Sequence, residues 1–522
     1  MNSHAGSHLV EDKVVCPHCW HNFYGDDAWH ISQHPELFGD DVLGENQRRR
    51  FAPNEAQRDR DGNVLDAKGW RVVDRACPRC HLQLPPELLT VRPWFISIVG
   101  AGRCGKTYFL TSMLHELRKE SAAFNYAFDL ADSHDVCTYV DYVNRLFFPE
   151  DASELTWLEK TREDTLINEV FLDGTRVRLP KPFIFYLRPI DSGKRMPQGS
   201  RSQRRSVVLY DNPGEAFEFQ FDRHVATDRH TQHLAESDAV LFVFDPLLDP
   251  NARRRLKEDS LVPQDPQLAR LNFHRQEHIL SAVVNRIRRH RKLIDGTRIT
   301  VPLAVCVQKC DVWNRLVPHG HVIDHTSVVN LRDHGIAALD TEEINAISLL
   351  VRSLLQDICP EFVATAEANF ATVRYFPVSA IGTSPQVDGD HLKVRPDDIK
   401  PYRVSHPVLW LLYRWGLIFR ATRRSENPRS LPVVQIKEVT HDRIHVVLPA
   451  GLMVSLDREY AGSSVVDPYS GESLWIPKIE SQAAINEPPA PSPIQPPEDL
   501  RLTLDDAKAP ISRRKRRWFG SR

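Results

Sequence analysis

The sequence predicts an α/β fold: a mainly parallel sheet carrying a phosphate-binding loop and large insertions, preceded by a zinc ribbon and followed by a small β module and a disordered tail. Three observations carry that expectation. The apolar run Trp94–Gly100 leads into GAGRCGKT over residues 100–107, a GxxxxGKT loop, after which Leu110, Met113, Leu114 and Leu117 recur at helical spacing. The continuous apolar run Ala239–Asp245 suits a strand covered on both faces, and Ile299–Val307 and Thr372–Val378 read as further strands. Two Cys-Pro-x-Cys pairs precede the loop.

A chain of 522 residues, 41% hydrophobic, has room for two to four domains and at least one large core. The net charge of −2 excludes a global attraction to nucleic acid or anionic membrane, leaving only local patches. No basic stretch followed by an apolar one opens the chain, and Val408–Phe419, interrupted by Arg414, is too short to span a bilayer. A cytoplasmic protein without a transmembrane segment is expected. Nine cysteines are too few for a disulfide scaffold of this length, and four of them fall in the two pairs.

Within residues 1–90, Cys16, Cys19, Cys77 and Cys80 present two thiolates per turn, a set suited to a closed tetrahedral Zn²⁺ site. The segment between the pairs, Trp20 to Ala76, reads as an insertion in the ribbon. A region with so little apolar content needs the ion to fold.

In the phosphate loop, Gly100, Gly102 and Gly105 let backbone N–H groups, including those of Arg103 and Cys104, turn inward around a phosphate chain. The following helix adds its unpaired N-terminal donors. Lys106 is placed to reach the β/γ-phosphates and Thr107 to ligate Mg²⁺. Pro182–Arg188 and Ser206–Asp211 read as strands, the second ending in Asp211-Asn-Pro-Gly-Glu, DxxG spacing in which Asp211 can hold an Mg²⁺-bound water and Gly214 can face a γ-phosphate. The Ile299–Val307 strand delivers Gln308, Lys309, Cys310 and Asp311. There an aspartate can accept both N1–H and N2–H of guanine while the lysine stem lies along the base. The Thr372–Val378 strand runs into Ser379-Ala380-Ile-Gly, whose backbone can meet guanine O6.

These four motifs, in this order at strand ends, resemble a P-loop GTPase (P-loop NTPase fold) of the Ras-like, translation-factor-related class, over roughly residues 91–425. The resemblance implies GTP/GDP and Mg²⁺ as ligands, with Lys106, Thr107, Asp211, Gly214 and Glu215 as the reacting set. Gln308 stands where an Asn or Thr is usual. Glu215 stands where many relatives place a water-orienting glutamine, so hydrolysis is expected to be slow or partner-dependent. Arg103 is either a cis cation for the phosphates or a solvent-facing residue. More narrowly, the Cys77–Pro85 segment, the phosphate loop and Leu179–Phe185 resemble the bacterial double-GTPase family. That implies a conflict or defence setting beside a second GTPase or another protein effector.

Roughly a hundred residues separate Thr107 from Asp211, and as many separate Asp211 from Asp311, so both intervals carry insertions. The first holds a helix over Val136–Phe148 and a hairpin around Asp173-Gly174. Thr161 and Thr175 are the candidates for the threonine that closes over Mg²⁺ and γ-phosphate. The second holds an amphipathic helix with Ile279, Leu280, Val283, Val284 and Ile287 on one face and a solvated basic side. Asp340-Thr-Glu-Glu caps another helix, and Val408–Phe419 reads as the last helix of the domain. Residues 426–480 alternate as a small antiparallel β module. Residues 481–522 form a Pro-rich tail ending in Arg513-Arg-Lys-Arg-Arg, which offers weak contact to nucleic acid, membrane or an acidic partner. Two functions follow: a GTP-hydrolysing molecular switch, or a GTP-binding adaptor that recruits partners through its ribbon and tail.

Overall fold

The computed structural model describes residues 13–90, 92–131, 134–151, 153–158, 167–190, 205–211, 232–256, 276–294, 296–317, 328–331, 336–388, 391–421, 431–440, 443–449, 451, 453–462, 464–466, 473–477 and 479. Thr161, Gly214, Glu215 and the basic tail lie outside them. Seven strands form the central sheet: β1 Trp94–Gly100, β2 Tyr126–Leu130, β3 Phe183–Pro189, β4 Arg205–Asp211, β5 Ala239–Phe244, β6 Leu303–Val307 and β7 Val373–Pro377, in the order β2-β3-β4-β1-β5-β6-β7. β4, β1, β5, β6 and β7 run parallel, and β3 alone is reversed against its neighbours. Every residue of β5, β6 and β7 is buried, which is why these runs carry no polar alternation.

Helix α1, Lys106–Glu120, follows β1 and buries Phe109, Leu110, Met113, Leu114 and Leu117. α2, His134–Phe147, packs beside it. α3, Gln276–Arg291, buries Ile279, Leu280, Val283, Val284 and Ile287, as its sequence pattern requires. α4, Thr341–Ile358, starts where the Asp340 carboxylate accepts Glu343 N–H at 3.0 Å, the cap read from the sequence. α5, Pro360–Asn369, packs between α3 and α4 and brings Phe362 against Phe242 and Phe244 of β5.

Two boundaries differ from expectation. The last helix, α6, covers His406–Arg414 and stops short of Phe419, because Gly416 takes φ +74° and Leu417 N–H turns back to Leu412 O. Phe419–Arg420 then pairs with the short strand Ala337–Leu339. β6 begins at Leu303 because Pro302 has no N–H for the ladder, although its carbonyl accepts Val240 N–H.

The expected hairpin forms from Ile167–Leu172 and Thr175–Pro180, turning through Asp173 and Gly174, both at positive φ. Its inner face, Val170, Leu172, Val177 and Leu179, packs on the cysteine module rather than on the central sheet. At the other end, Gln435–Val439, Arg443–Val447 and Met453–Asp457 form a three-stranded antiparallel sheet. It is fixed to the main body by Arg374, which bonds Asp457 at 2.7 Å and Tyr460 at 3.1 Å.

The turn after β7 has the tightest backbone requirement. Gly382 sits at φ +68°, and a Cβ there would fall 1.8 Å from Lys400 O. Gly382→Ala is expected to destabilise the protein by roughly 2–5 kcal/mol, left-handed strain and backbone displacement together, read from the urea midpoint.

Candidate nucleotide cleft and tetracysteine centre

Parallel register brings the carboxyl ends of five strands level, on either side of β1, where the chain's connections diverge. Ile98 of β1 pairs with Asp211, Gly100 with Val243, Phe244 with Val307, and Val307 with Pro377. The loops leaving those ends enclose one cleft, lined among others by Arg103, Cys104, Gly105, Gln308, Lys309, Asp311, Ser379 and Ala380. The phosphate-loop, Gln-Lys-Cys-Asp and Ser-Ala-x-Gly motifs therefore meet in space.

Each motif has a local cause. A Cβ on Gly100 would lie 2.5 Å from Val243 O, so the turn closes only on glycine. Arg103 and Gly105 take positive φ, and α1 begins at Lys106. Lys106 Nζ donates back to Ala101 O at 2.7 Å and Gly100 O at 3.1 Å, which keeps the buried ammonium satisfied inside its own loop. Lys309, also at positive φ, caps the short helix Cys310–Trp313. Trp313 Nε1 donates to Gln308 O at 2.6 Å, and Cys310 N–H to Val378 O at 3.1 Å, locking the second motif to the third. The Ser379 hydroxyl accepts Gly382 N–H at 2.9 Å and hydrogen-bonds to the Asp311 carboxylate. Ser112 of α1 donates to Ala380 O at 2.7 Å, which joins the third motif to the phosphate-loop helix.

Of the buried polar atoms that have no partner among the described residues, three belong to the sequence motifs: Gln308 Nε2 and Asp311 Oδ1 on the cleft, and Asp211 Oδ1 near Lys106. Native interiors rarely leave such atoms orphaned. Burial pushes the Asp211 carboxyl up to about 6, the charge of Lys106 pulling it partly back. Burial raises Asp311 too, offset by Ser379 and by the charge of Lys309.

Gly102 lies in the phosphate loop and Thr107 in the first turn of α1. Thr175 lies at the hairpin turn, exposed, and is not among the residues lining the cleft. The other candidate threonine follows Leu158, whose N–H donates to the hydroxyl of Tyr108, a cleft residue, at 2.7 Å. Sequence reading missed Tyr108. It also missed the Gln386–Asp388/His391–Lys393 hairpin, which supplies Leu392, with Pro385 and Val394 at its two ends, to the cleft wall. Also missed was Asp245, which holds Lys309 Nζ at 2.6 Å. An acid closing an otherwise apolar strand was the one available signal for it.

The four module cysteines are buried, with Sγ atoms all within 4.8 Å of one another. Cys16–Cys80 and Cys19–Cys77 are separated by 3.7 and 3.6 Å. Tetrahedral Zn–S bonds of about 2.3 Å place sulfurs about 3.8 Å apart, so the set fits such an ion. The two turns are copies: the first cysteine's N–H bonds to the residue five on, its C=O receives the N–H four on, and Trp20 and His81 share φ near +56°. His18 and Arg79 amides lie 3.4 Å from Cys16 and Cys77 Sγ. Burial drives Cys16 and Cys80 toward the neutral thiol, and a divalent cation would reverse that. Tyr210 ties this centre to the sheet: its hydroxyl donates to Pro17 O at 2.6 Å and accepts from Trp20 Nε1 at 3.3 Å.

No family model matches the chain. A protein of Mycolicibacterium smegmatis named as a candidate ESX-1 scaffolding and assembly protein, SaeC, is 25% identical over 364 residues, 66% of this chain and 80% of its own. Among solved structures, the Chaetomium thermophilum signal recognition particle receptor SRb-GTP/SRX complex overlaps 56% of this chain and 94% of its own, at 12% identity and TM-score 0.21. The Methanococcus maripaludis elongation factor SelB overlaps 69% and 45%, at 12% and 0.19, and the S. cerevisiae Ski7 GTPase-like domain 71% and 60%, at 11% and 0.23. Scores this low transfer neither a fold nor an activity.

Two expectations follow. The purified chain carries about one zinc by elemental analysis, and Cys77→Ser loses it together with the melting transition of the module. Asp211→Asn stabilises the ligand-free protein at pH 7 by roughly 2–3 kcal/mol, because the native carboxyl ionises only near 6 and the unfolded one near 4. That gain is full above pH 6 and vanishes below about pH 4, where both states are protonated; denaturation across this range measures it.

Proposed function

We propose that the chain binds a guanine nucleotide with Mg²⁺ in this cleft and works as a switch that hydrolyses GTP slowly. The observation that carries the reading is the pair of orphaned atoms, Gln308 Nε2 and Asp311 Oδ1, buried on the same cleft as the phosphate loop. A carboxylate there accepts the two N–H groups that guanine alone presents on one edge, and the amide donates to an acceptor. The loop amides of Gly102 to Gly105 and the Lys106 ammonium hold phosphates, Lys106 exchanging its two carbonyl partners for phosphate oxygens. Thr107 and Asp211 would hold the ion, whose chemistry when bound is to offset charge on the β- and γ-oxygens. Asp211 suits that task because its buried Oδ1 has no partner among the described residues. Ser379 fixes Asp311 and, with Ala380, frames the base. In the sequence Gly214 and Glu215 follow Asp211 by three and four residues, and Glu215 in place of a glutamine favours slow or partner-triggered turnover. Thr175 is exposed at the hairpin turn and is not among the cleft residues, which favours Thr161 as the switch threonine.

A second reading has one observation in its favour. The SaeC relative is named for scaffolding and assembly, which suits a GTP-binding adaptor with protein partners, a second GTPase among the candidates. A defence setting stays with the double-GTPase resemblance. Either reading requires that GTP bind at least roughly a hundredfold more tightly than ATP, and that Asp311→Ala erase the difference, by calorimetry. Equal ATP and GTP affinities, unaltered by Asp311→Ala, would overturn both. Single-turnover hydrolysis then separates them: slow cleavage lost in Lys106→Ala supports the switch, and no cleavage above background supports the adaptor.

A further inference from the structure

The ion pair between Lys309 and Asp245 has no part in the reading above. Asp245 follows β5 directly and is 0% exposed, whereas the Lys309 side chain is 35% exposed and lines the cleft. The aspartate is held on every side. Its Oδ1 accepts Leu247 N–H at 3.0 Å, its Oδ2 takes Lys309 Nζ at 2.6 Å, and the carboxamide of Gln276 brackets its backbone N–H and C=O, both at 2.9 Å. Leu247, two residues on, lines the same cleft.

We propose that Asp245 is a positioning residue for the base. It pins the far end of Lys309 so that the methylene stem forms a fixed surface for the purine, with Gln276 holding Asp245 in turn. The proposal rests on the guanine-nucleotide reading. A lysine with four rotatable bonds would otherwise have to be ordered when the ligand arrives, and ordering it beforehand favours binding. The buried carboxylate also cancels the ammonium charge at close range, so Lys309 offers its stem to the base rather than a charge to the phosphates. The loss on breaking the pair is therefore independent of how many phosphates the ligand carries.

A double-mutant cycle on the zinc-loaded full chain tests this. Asp245→Asn keeps an oxygen for the Leu247 cap and removes the charge; Lys309→Gln removes its partner. Calorimetry with GDP and with guanylyl-imidodiphosphate is expected to show each single variant weakened roughly fivefold to twentyfold, by the same factor for both ligands. The double variant is expected to be no weaker than the worse single one. Additive losses, or Asp245→Asn binding as wild type, would overturn the proposal and leave the pair as a tie between β5 and β6. Should Asp245→Asn fail to fold, Gln276→Met crossed with Lys309→Gln gives the same cycle. A wild-type chain that binds neither guanine nucleotide refutes the functional reading instead, a distinct result.

Discussion

The cleft depends on one constraint: a glycine at the end of β1 that lets two strand tips approach more closely than any side chain would allow. Val243 O lies 2.5 Å from where a Cβ of residue 100 would be. That approach sets β5 beside β1, and the parallel ladder carries it outward through Phe244 and Val307 to Pro377. Motifs separated by two hundred residues or more of sequence then open on the same edge of the sheet. Hydrogen bonds between loops, Ser112 to Ala380 and Cys310 to Val378, fix what register alone leaves loose.

Several buried polar groups of the sheet and its loops find partners. Ser97, buried in the middle of β1, has its hydroxyl within 2.6 Å of both His233 and Ser237, and Trp313 finds an acceptor for its indole N–H. Asp211 and Asp311 are each left with a buried carboxylate oxygen that has no partner among the described residues, a cost in stability placed where a ligand would repay it. The raised carboxyl of Asp211 expresses the same cost in protons.

How much of this was legible in the sequence follows from the range of each interaction. Local signals read well: the strand-loop-helix at Trp94–Leu117, the Asp340 cap and the Asp173-Gly174 turn each depend on neighbours in the chain. The CPxC pairs were legible because tetrahedral sulfur chemistry restricts spacing within each pair, whatever lies between them. Long-range contacts did not read. Nothing near Thr175 tells that its hairpin packs on the cysteine module, since Val170, Leu172, Val177 and Leu179 are apolar in either setting. Asp245 likewise shows its partner only once β5 and β6 are adjacent, because Lys309 lies 64 positions further along the chain.

Tyr210 shows why the cysteine module and the sheet behave as one body. The residue precedes Asp211 in β4, so its ring points to the face opposite Asp211, as neighbours along a strand must. On that face its hydroxyl is shared between Pro17 O and Trp20 Nε1, both within the first cysteine turn, and its ring stacks on His233 at 4.8 Å. The turn holding Pro17 and Trp20 also carries Cys16 and Cys19, whose Sγ atoms lie close to those of Cys77 and Cys80. The tetracysteine cluster is thus joined, through one buried phenol and a single peptide unit, to the strand end that carries the Asp211 carboxylate. The module is therefore anchored one residue from a buried carboxylate whose charge the sheet alone disfavours.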